Sequence, residues 1–217
     1  MGVDSTTLEA DAAMRSIVRK GSGEDWKAYV KRLMQEAGQA EEGEEPSDDD
    51  LRRFDKQRKN KKVSNQEWES PTDPDARIAK LKDGRTHLAY KLEHAVDLAT
   101  ELIVAAEVYH ADQSDSQTLA DTVMQARTHI GEAGCEEVFQ EVAADKGYHA
   151  AGQLELVSSL DFRTYVPEPK RDHPLRWTDK PAELKEAVYA NRRRTKTEKN
   201  GRLQRLRSER VERSFAH

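Results

Sequence analysis

From Thr86 the apolar residues of this chain recur at every second position. Leu88, Tyr90, Leu92, His94 and Val96 alternate with polar or small residues, the two-residue period of a half-buried strand. Asp97-Leu98-Ala99-Thr100 follows as a type I turn, in which aspartate is favoured at the first position. Leu102 to Tyr109 is a second apolar run, so the segment predicts a β-hairpin.

The remaining segments organise around that hairpin. Gly2 to Thr7 is β-prone. Leu8 to Lys20 reads as a helix with Met14, Ile17 and Val18 on one side, broken by Gly21-Ser22-Gly23. Trp26, Tyr29, Val30, Leu33 and Met34 follow a 3.6-residue period and predict a helix over 24–37, stopped by Gly38. An acidic stretch, Glu41 to Asp50, leads through Pro46 and Ser47 into a charged helix to about Lys62, so 21–70 reads as a mostly helical charged insertion. Pro71 and Pro74 bracket a turn. Beyond the hairpin come a helix over 116–132, a small-residue strand from Val138 to Ala144, a helix over 150–160 and a strand over 162–166. From Pro181 to the end the chain reads as helix, interrupted near Asn200-Gly201. A hairpin followed by βαβ units gives an α/β fold, a mixed sheet with helices packed on it. One domain over 1–217 is expected.

Hydrophobic and charged residues each make up 35% of the 217 residues. That is apolar-poor and charge-rich, so part of the chain is expected to lie outside the core. No run of about 18 apolar residues is present and no signal peptide is visible, so a cytoplasmic protein without a membrane partner is expected. The single cysteine, Cys135, excludes an internal disulfide and a zinc ribbon and reads as a buried or idle thiol. The net charge of -5 is unevenly spread: from Arg163 onward there are 16 Lys+Arg against 8 Asp+Glu. An acidic body with a basic tail is a common layout for a protein that meets a polyanion. A solvated charged helix is the plainer alternative.

Three short acidic motifs stand out. They are Val3-Asp4-Ser5-Thr6, Ala144-Asp145-Lys146-Gly147-Tyr148 and Val211-Glu212-Arg213-Ser214-Phe215. The first two read as strand ends and the third lies in a basic helix. Carboxylates at neighbouring strand ends can share a hard divalent ion, and two such ions about 3.5–4 Å apart stabilise both oxygens of a phosphoryl transfer. Singly, each acid has a plainer reading: Asp4 and Asp145 as turn residues or helix caps, Glu212 as an ion-pair partner of the surrounding arginines. Asp97 and Glu209 are rival acids. His87, His94 and His110 show no tight metal spacing and read as ordinary strand histidines.

With these motifs the chain resembles the catalytic domain of DDE-type bacterial insertion-sequence transposases. His87-Leu88-Ala89-Tyr90-Lys91, His94-Ala95-Val96-Asp97 and His110-Ala111-Asp112 resemble the family's central hairpin and its exit. Ala144-Asp145-Lys146-Gly147-Tyr148 resembles its second-acid motif and Val211-Glu212-Arg213-Ser214-Phe215-Ala216 its third-acid helix. The resemblance implies an RNase H-like (retroviral-integrase-like) mixed sheet flanked by helices, with the charged insertion after the first strand. It implies Asp4, Asp145 and Glu212 as catalytic metal ligands for two Mg2+ or Mn2+ ions. Water would nick DNA at a transposon end and the freed 3′-hydroxyl would attack target DNA, with the protein as a homodimer on DNA in the nucleoid. Arg192-Arg193-Arg194 lies in the basic stretch that precedes the third acid in such proteins. Lys146 and Arg213 flank the acids and are expected on phosphates, with Arg210 beside them; Tyr148 reads either as a residue that stacks or hydrogen-bonds near DNA or as a core residue. Some relatives place an arginine four residues before the third acid, where this chain has Ser208 with Arg207 adjacent. Full-length relatives also carry a DNA-binding region before the first acid and more helix after the third. Here three residues precede Asp4 and five follow Glu212, so a truncated, inactive remnant is one expectation.

Three functions remain open on the residues: a transposase catalytic domain, a stand-alone RNase H-like nuclease, and a non-catalytic DNA-binding or interaction protein using the basic C-terminal helix. The last predicts salt-sensitive DNA binding that survives Asp145→Ala.

Overall fold

The alternating segment does form a strand, but both of its faces are covered. The computed structural model describes residues 1–41, 43, 45–59, 64–81, 84–135, 139–173 and 175–216. In chain order the elements are β1 (Gly2–Glu9), β2 (Val18–Arg19), α1 (Trp26–Glu36), α2 (Asp48–Gln57), β3 (Trp68–Glu69), β4 (Arg77–Lys80), β5 (Thr86–Val96), β6 (Ile103–His110), α3 (Asp115–Glu132), β7 (Glu141–Ala143), α4 (Ala151–Ser159), β8 (Arg163–Tyr165), α5 (Ala182–Thr195) and α6 (Glu198–Ser214). Single 3-10 turns sit at Met14–Ser16 and Lys146–Tyr148. The elements fall into two compact units. The first is Met1–Thr7, Lys91–Tyr109 and Gln113–His217; the second is Leu8–Tyr90 with His110–Asp112. Among the described residues no helix is long and apolar enough to cross a membrane.

In the first unit the strands run in the order β5-β1-β7-β8, with β6 also paired to β5. β1 is parallel to β7 with Gly2 opposite Ala143, and β7 is parallel to β8 with Glu141, Val142 and Ala143 opposite Arg163, Thr164 and Tyr165. This is a mixed α/β unit. One sheet face buries Val3, Ala95 and Val142 against Leu119 and Val123 of α3, Leu154 and Val157 of α4 and Val188 of α5. The other buries Val96, Ala143 and Tyr165 against Val211 of α6. Helices on both faces explain why β5 departs from simple alternation. Lys91, Glu93 and His94 are buried along with Ala95 and Val96, while Leu92, expected in the core, is only partly buried.

Gly2 sets how closely α6 approaches β1. A Cβ at Gly2 would lie 2.8 Å from a Leu98 methyl, 2.9 Å from a Val211 methyl and 3.2 Å from the Arg207 stem. The packed strand and helix leave no room there for a side chain.

In the second unit β4 runs antiparallel to the first part of β5, with Arg77 opposite Ala89 and Lys80 opposite Thr86. Asn65 braces β4, donating to the Ile78 carbonyl and accepting from its amide. Asp25 caps α1 and Ser47 caps α2, and the two helices close on a small core of Val30, Met34 and Leu51. A second cluster joins Ile17, Trp68, Ala76 and Leu88.

Several expectations are corrected. The helix over Leu8–Lys20 is absent: β1 continues to Glu9, and the 3-10 turn and β2 follow. Ile17 and Met14 still pack, but against Trp68 and Leu88 rather than along a helix face. Asp4 therefore lies inside a strand rather than at its end. β3 and β4 carried no clear period and were not expected. The C-terminal helix breaks at Lys196-Thr197, not at Asn200-Gly201, because Thr197 is extended and starts a new helix that runs straight through Gly201. Cys135 is exposed. The expected strand start at Val138 and helix end near Lys62 lie outside the described residues.

Two predictions follow from this packing. Gly2→Ala forces α6 off β1 and is expected to destabilise the protein by about 1–3 kcal/mol, the usual cost of overpacking, read by denaturant unfolding. His149 is buried, neither ring nitrogen has a partner among the described residues, and burial pushes its pKa below the usual imidazole value. The unfolded chain therefore takes up a proton that the folded chain resists, so this part of the stability is present above pH 6.5 and lost as the pH falls. Thermal melting between pH 7.5 and 5.5 should show that loss, and His149→Leu should flatten it.

Candidate active site

Asp4 stands two residues past Gly2 on β1, and Asp145 two residues past Ala143, just beyond the end of the paired strand β7, where it caps the 3-10 turn. Strands of a parallel pair lie about 4.8 Å apart, and the charge of Asp145 acts on the Asp4 carboxyl. The two acids are therefore neighbours, although 141 positions separate them in sequence. A period of two also puts Asp4 on the Gly2 face, toward α6, and Ser5 on the opposite face, toward α3. The side-chain contacts agree. Arg207 of α6 forms an ion pair with Asp4, and the Ser5 hydroxyl donates to Asp115 of α3 at 2.9 Å.

Burial pushes the Asp4 carboxyl above the usual carboxylate range. The Arg207 guanidinium and the Ser5 amide pull it down, and the charge of Asp145 pushes it up again. Asp145 caps its own turn, accepting from the Gly147 amide at 2.6 Å. Gly147 has no room for a side chain: a Cβ there would sit 2.9 Å from both an Asp115 and an Asp145 oxygen. Asp115 and Asp145 thus crowd the same residue.

Behind these acids lies a buried polar network. The Lys91 ammonium bonds the Thr118 hydroxyl at 2.7 Å, Asp115 at 2.9 Å and Glu93 at 3.1 Å. Glu93 is fully buried and accepts from the hydroxyls of Thr118 at 2.8 Å, Thr122 at 2.5 Å and Tyr148 at 3.0 Å. None of Lys91, Glu93, Asp115, Ser5 or Arg207 was singled out for the site from the sequence. The available signal was a Lys and a Glu two residues apart on one side of the alternating β5 segment.

The other expected residues are placed as follows. Glu212 is exposed on α6 and accepts from Ser208 at 2.8 Å. The buried positions of that helix are Arg207 and Val211. Glu209, the rival acid, pairs with Arg213 at 2.9 Å. Tyr148 is fully buried with its hydroxyl on Glu93 and has no surface to offer DNA. Arg210 donates to the Leu98 and Ala99 carbonyls, and Arg213 pairs with Glu101 at 3.0 Å, so both hold the hairpin turn. Arg192 grips Glu168 through two bonds of 2.9 Å, and Arg194 bonds the Thr164 carbonyl and hydroxyl. Lys146 and Arg193 are exposed. Asp97 caps the hairpin turn through the amides of Ala99 and Thr100, which is the turn role.

The donor set of Asp4 and Asp145 suits a divalent cation. Both are hard oxygen donors, and the Asp145 charge works against ionisation of Asp4. With Asp115 and Glu93 they make four carboxylates against the two cations Arg207 and Lys91. Glu212 does not join them in this arrangement, and among the described residues no three acids or histidines stand at metal-binding spacing.

The family model described as the transposase DDE domain matches residues 63–216. The matched stretch includes Lys91, Glu93, Asp115, Asp145, Arg207 and Glu212 and begins past Asp4. No curated protein and no solved structure matches the chain. Because the match takes in well over half of the sequence, this chain belongs to the transposase DDE domain family.

Proposed function

We propose that the chain is the catalytic domain of a DNA transposase with an RNase H-like fold, which cuts and joins DNA with Mg2+ or Mn2+. The observation that carries this reading is the pairing of β1 with β7, which brings Asp4 within reach of the Asp145 charge. These two acids would hold the metal, and Glu212 would complete the set by exchanging its Ser208 bond. When bound, the metal supplies positive charge against the phosphate oxygens and acidifies water enough to make it a nucleophile near neutral pH. Arg207 neutralises Asp4 in the metal-free protein and becomes available to a phosphate once Asp4 is engaged elsewhere. Lys146, exposed beside Asp145, and Arg193 are the expected first contacts to the DNA backbone. Transposon ends and target DNA are the partners in this reading, with the protein as a homodimer on DNA in the nucleoid.

A non-catalytic DNA-binding role is favoured by a different observation: Arg207 already compensates Asp4, and Glu212 is exposed and held by Ser208. The two readings part in one assay. Purified chain is incubated with supercoiled plasmid and Mg2+ or Mn2+. The transposase reading expects nicking that Asp145→Ala and Asp4→Asn reduce by at least a hundredfold. Salt-sensitive binding without cutting, unchanged in Asp145→Ala, would establish the non-catalytic role instead. Cutting without strand transfer of a cut end would indicate a nuclease.

The Arg207–Asp4 pair makes a second prediction. Metal and guanidinium compete for one carboxylate, so Arg207→Gln should lower the melting temperature in chelator. The gain in melting temperature on adding Mn2+ should then exceed that of the wild type. An equal gain in both proteins would mean that Asp4 takes no part in metal binding.

A further inference from the structure

Three buried or half-buried charges of the first unit have no part in the chemistry proposed above. Lys91 and Glu93 lie on β5, and Asp115 opens α3. Burying charge is costly, and an apolar cluster of the same volume is often at least as stable. Here the charges link the two segments that carry the neighbouring acids. Toward β1, Asp115 accepts from the hydroxyl of Ser5, the residue after Asp4. Toward the Asp145 turn, Asp115 packs against Gly147 and Glu93 accepts from the Tyr148 hydroxyl. Lys91 joins Glu93 to Asp115, and Thr118 ties Lys91 and Glu93 to α3. The Lys91 ammonium also lies 5.7 Å from the centre of the Tyr148 ring. Each acid-bearing segment thus has a tether running to one buried charge cluster on the sheet face opposite Arg207.

We propose that Lys91, Glu93 and Asp115 form a positioning triad that fixes the spacing of Asp4 and Asp145. This rests on the reading of those two acids as metal ligands. The triad touches neither DNA nor metal. It acts through Ser5 on one side and Gly147–Tyr148 on the other. Groups that orient metal ligands in this way typically contribute about 10- to 100-fold in metal affinity.

The test is Mn2+ binding to the purified full chain, followed by the EPR signal of the free ion, with melting temperature measured alongside. Glu93→Gln keeps shape and removes the charge. Ser5→Ala and Tyr148→Phe each delete one hydroxyl tether and change no charge, so they remain informative if Glu93→Gln does not fold. Glu93→Gln should weaken Mn2+ binding at least tenfold, and each tether variant severalfold. Ser5→Thr, which keeps the hydroxyl, should restore wild-type affinity. Hydrogen exchange in metal-free buffer should quicken at 2–7 and 144–148 in the tether variants before it changes in α4. Lower melting temperatures with unchanged Mn2+ affinity in the folded tether variants would overturn the triad and leave the two-acid site standing. A wild type that fails to bind Mn2+ would overturn the metal reading itself, and the triad with it.

Discussion

The parallel pairing of β1 with β7 is the constraint on which the rest of the first unit depends. The Ala143 amide donates to the Met1 carbonyl at 3.0 Å and Gly2 stands opposite Ala143. That register brings residues from the two ends of a long sequence separation to the same level and the same face. It also decides what lies above them. Because residue 2 has no side chain, α6 comes down onto the strand, and Val211 and Arg207 arrive over Gly2. Gln204, one turn earlier, donates to the carbonyls of Ala144 and Tyr165, where β7 and β8 end. One helix is thereby locked to both acid-bearing strands.

The two faces of the sheet handle charge differently. On the α6 face, Asp4 meets a single arginine in a partly buried pair. On the α3 face, Lys91, Glu93 and three hydroxyl side chains satisfy one another almost out of reach of solvent. A network of this kind tolerates burial because each donor finds an acceptor, and the low dielectric then strengthens every bond in it. Such a network resists small displacements more than an apolar contact does, since hydrogen bonds are directional.

The basic C-terminal region presents fewer free cations than its charge count implies. Arg192, Arg194, Arg207, Arg210 and Arg213 all bond to acids or carbonyls of the same unit. Guanidinium groups suit this use, with five donors in a fixed fork. Much of the positive charge in α5 and α6 thus holds the helices and the hairpin turn in place.

Much of the fold was legible in the sequence where a period ran long enough to be unambiguous. The hairpin and α1 emerged from spacing, the helices over 116–132 and 150–160 were expected, and Asp97 and Ser47 marked a turn and a helix start. The family was legible too, because its short acidic motifs are local strings. What sequence could not supply was anything set by a neighbour distant in the chain. β3 and β4 are short strands whose pairing partners, not their composition, make them strands. Lys91 and Glu93 look like solvent-facing residues of a half-buried strand until α3 covers that face. The same limit applies to Arg207 and Glu212. Their order along the helix is written in the chain, but which one points at Asp4 depends on how α6 rotates onto Gly2. Local spacing determined the elements and the acids they carry. Only the tertiary structure decided the rest: helices on both faces of the sheet set which charges are buried and paired, and the pairing of β1 with β7 set which two acids meet.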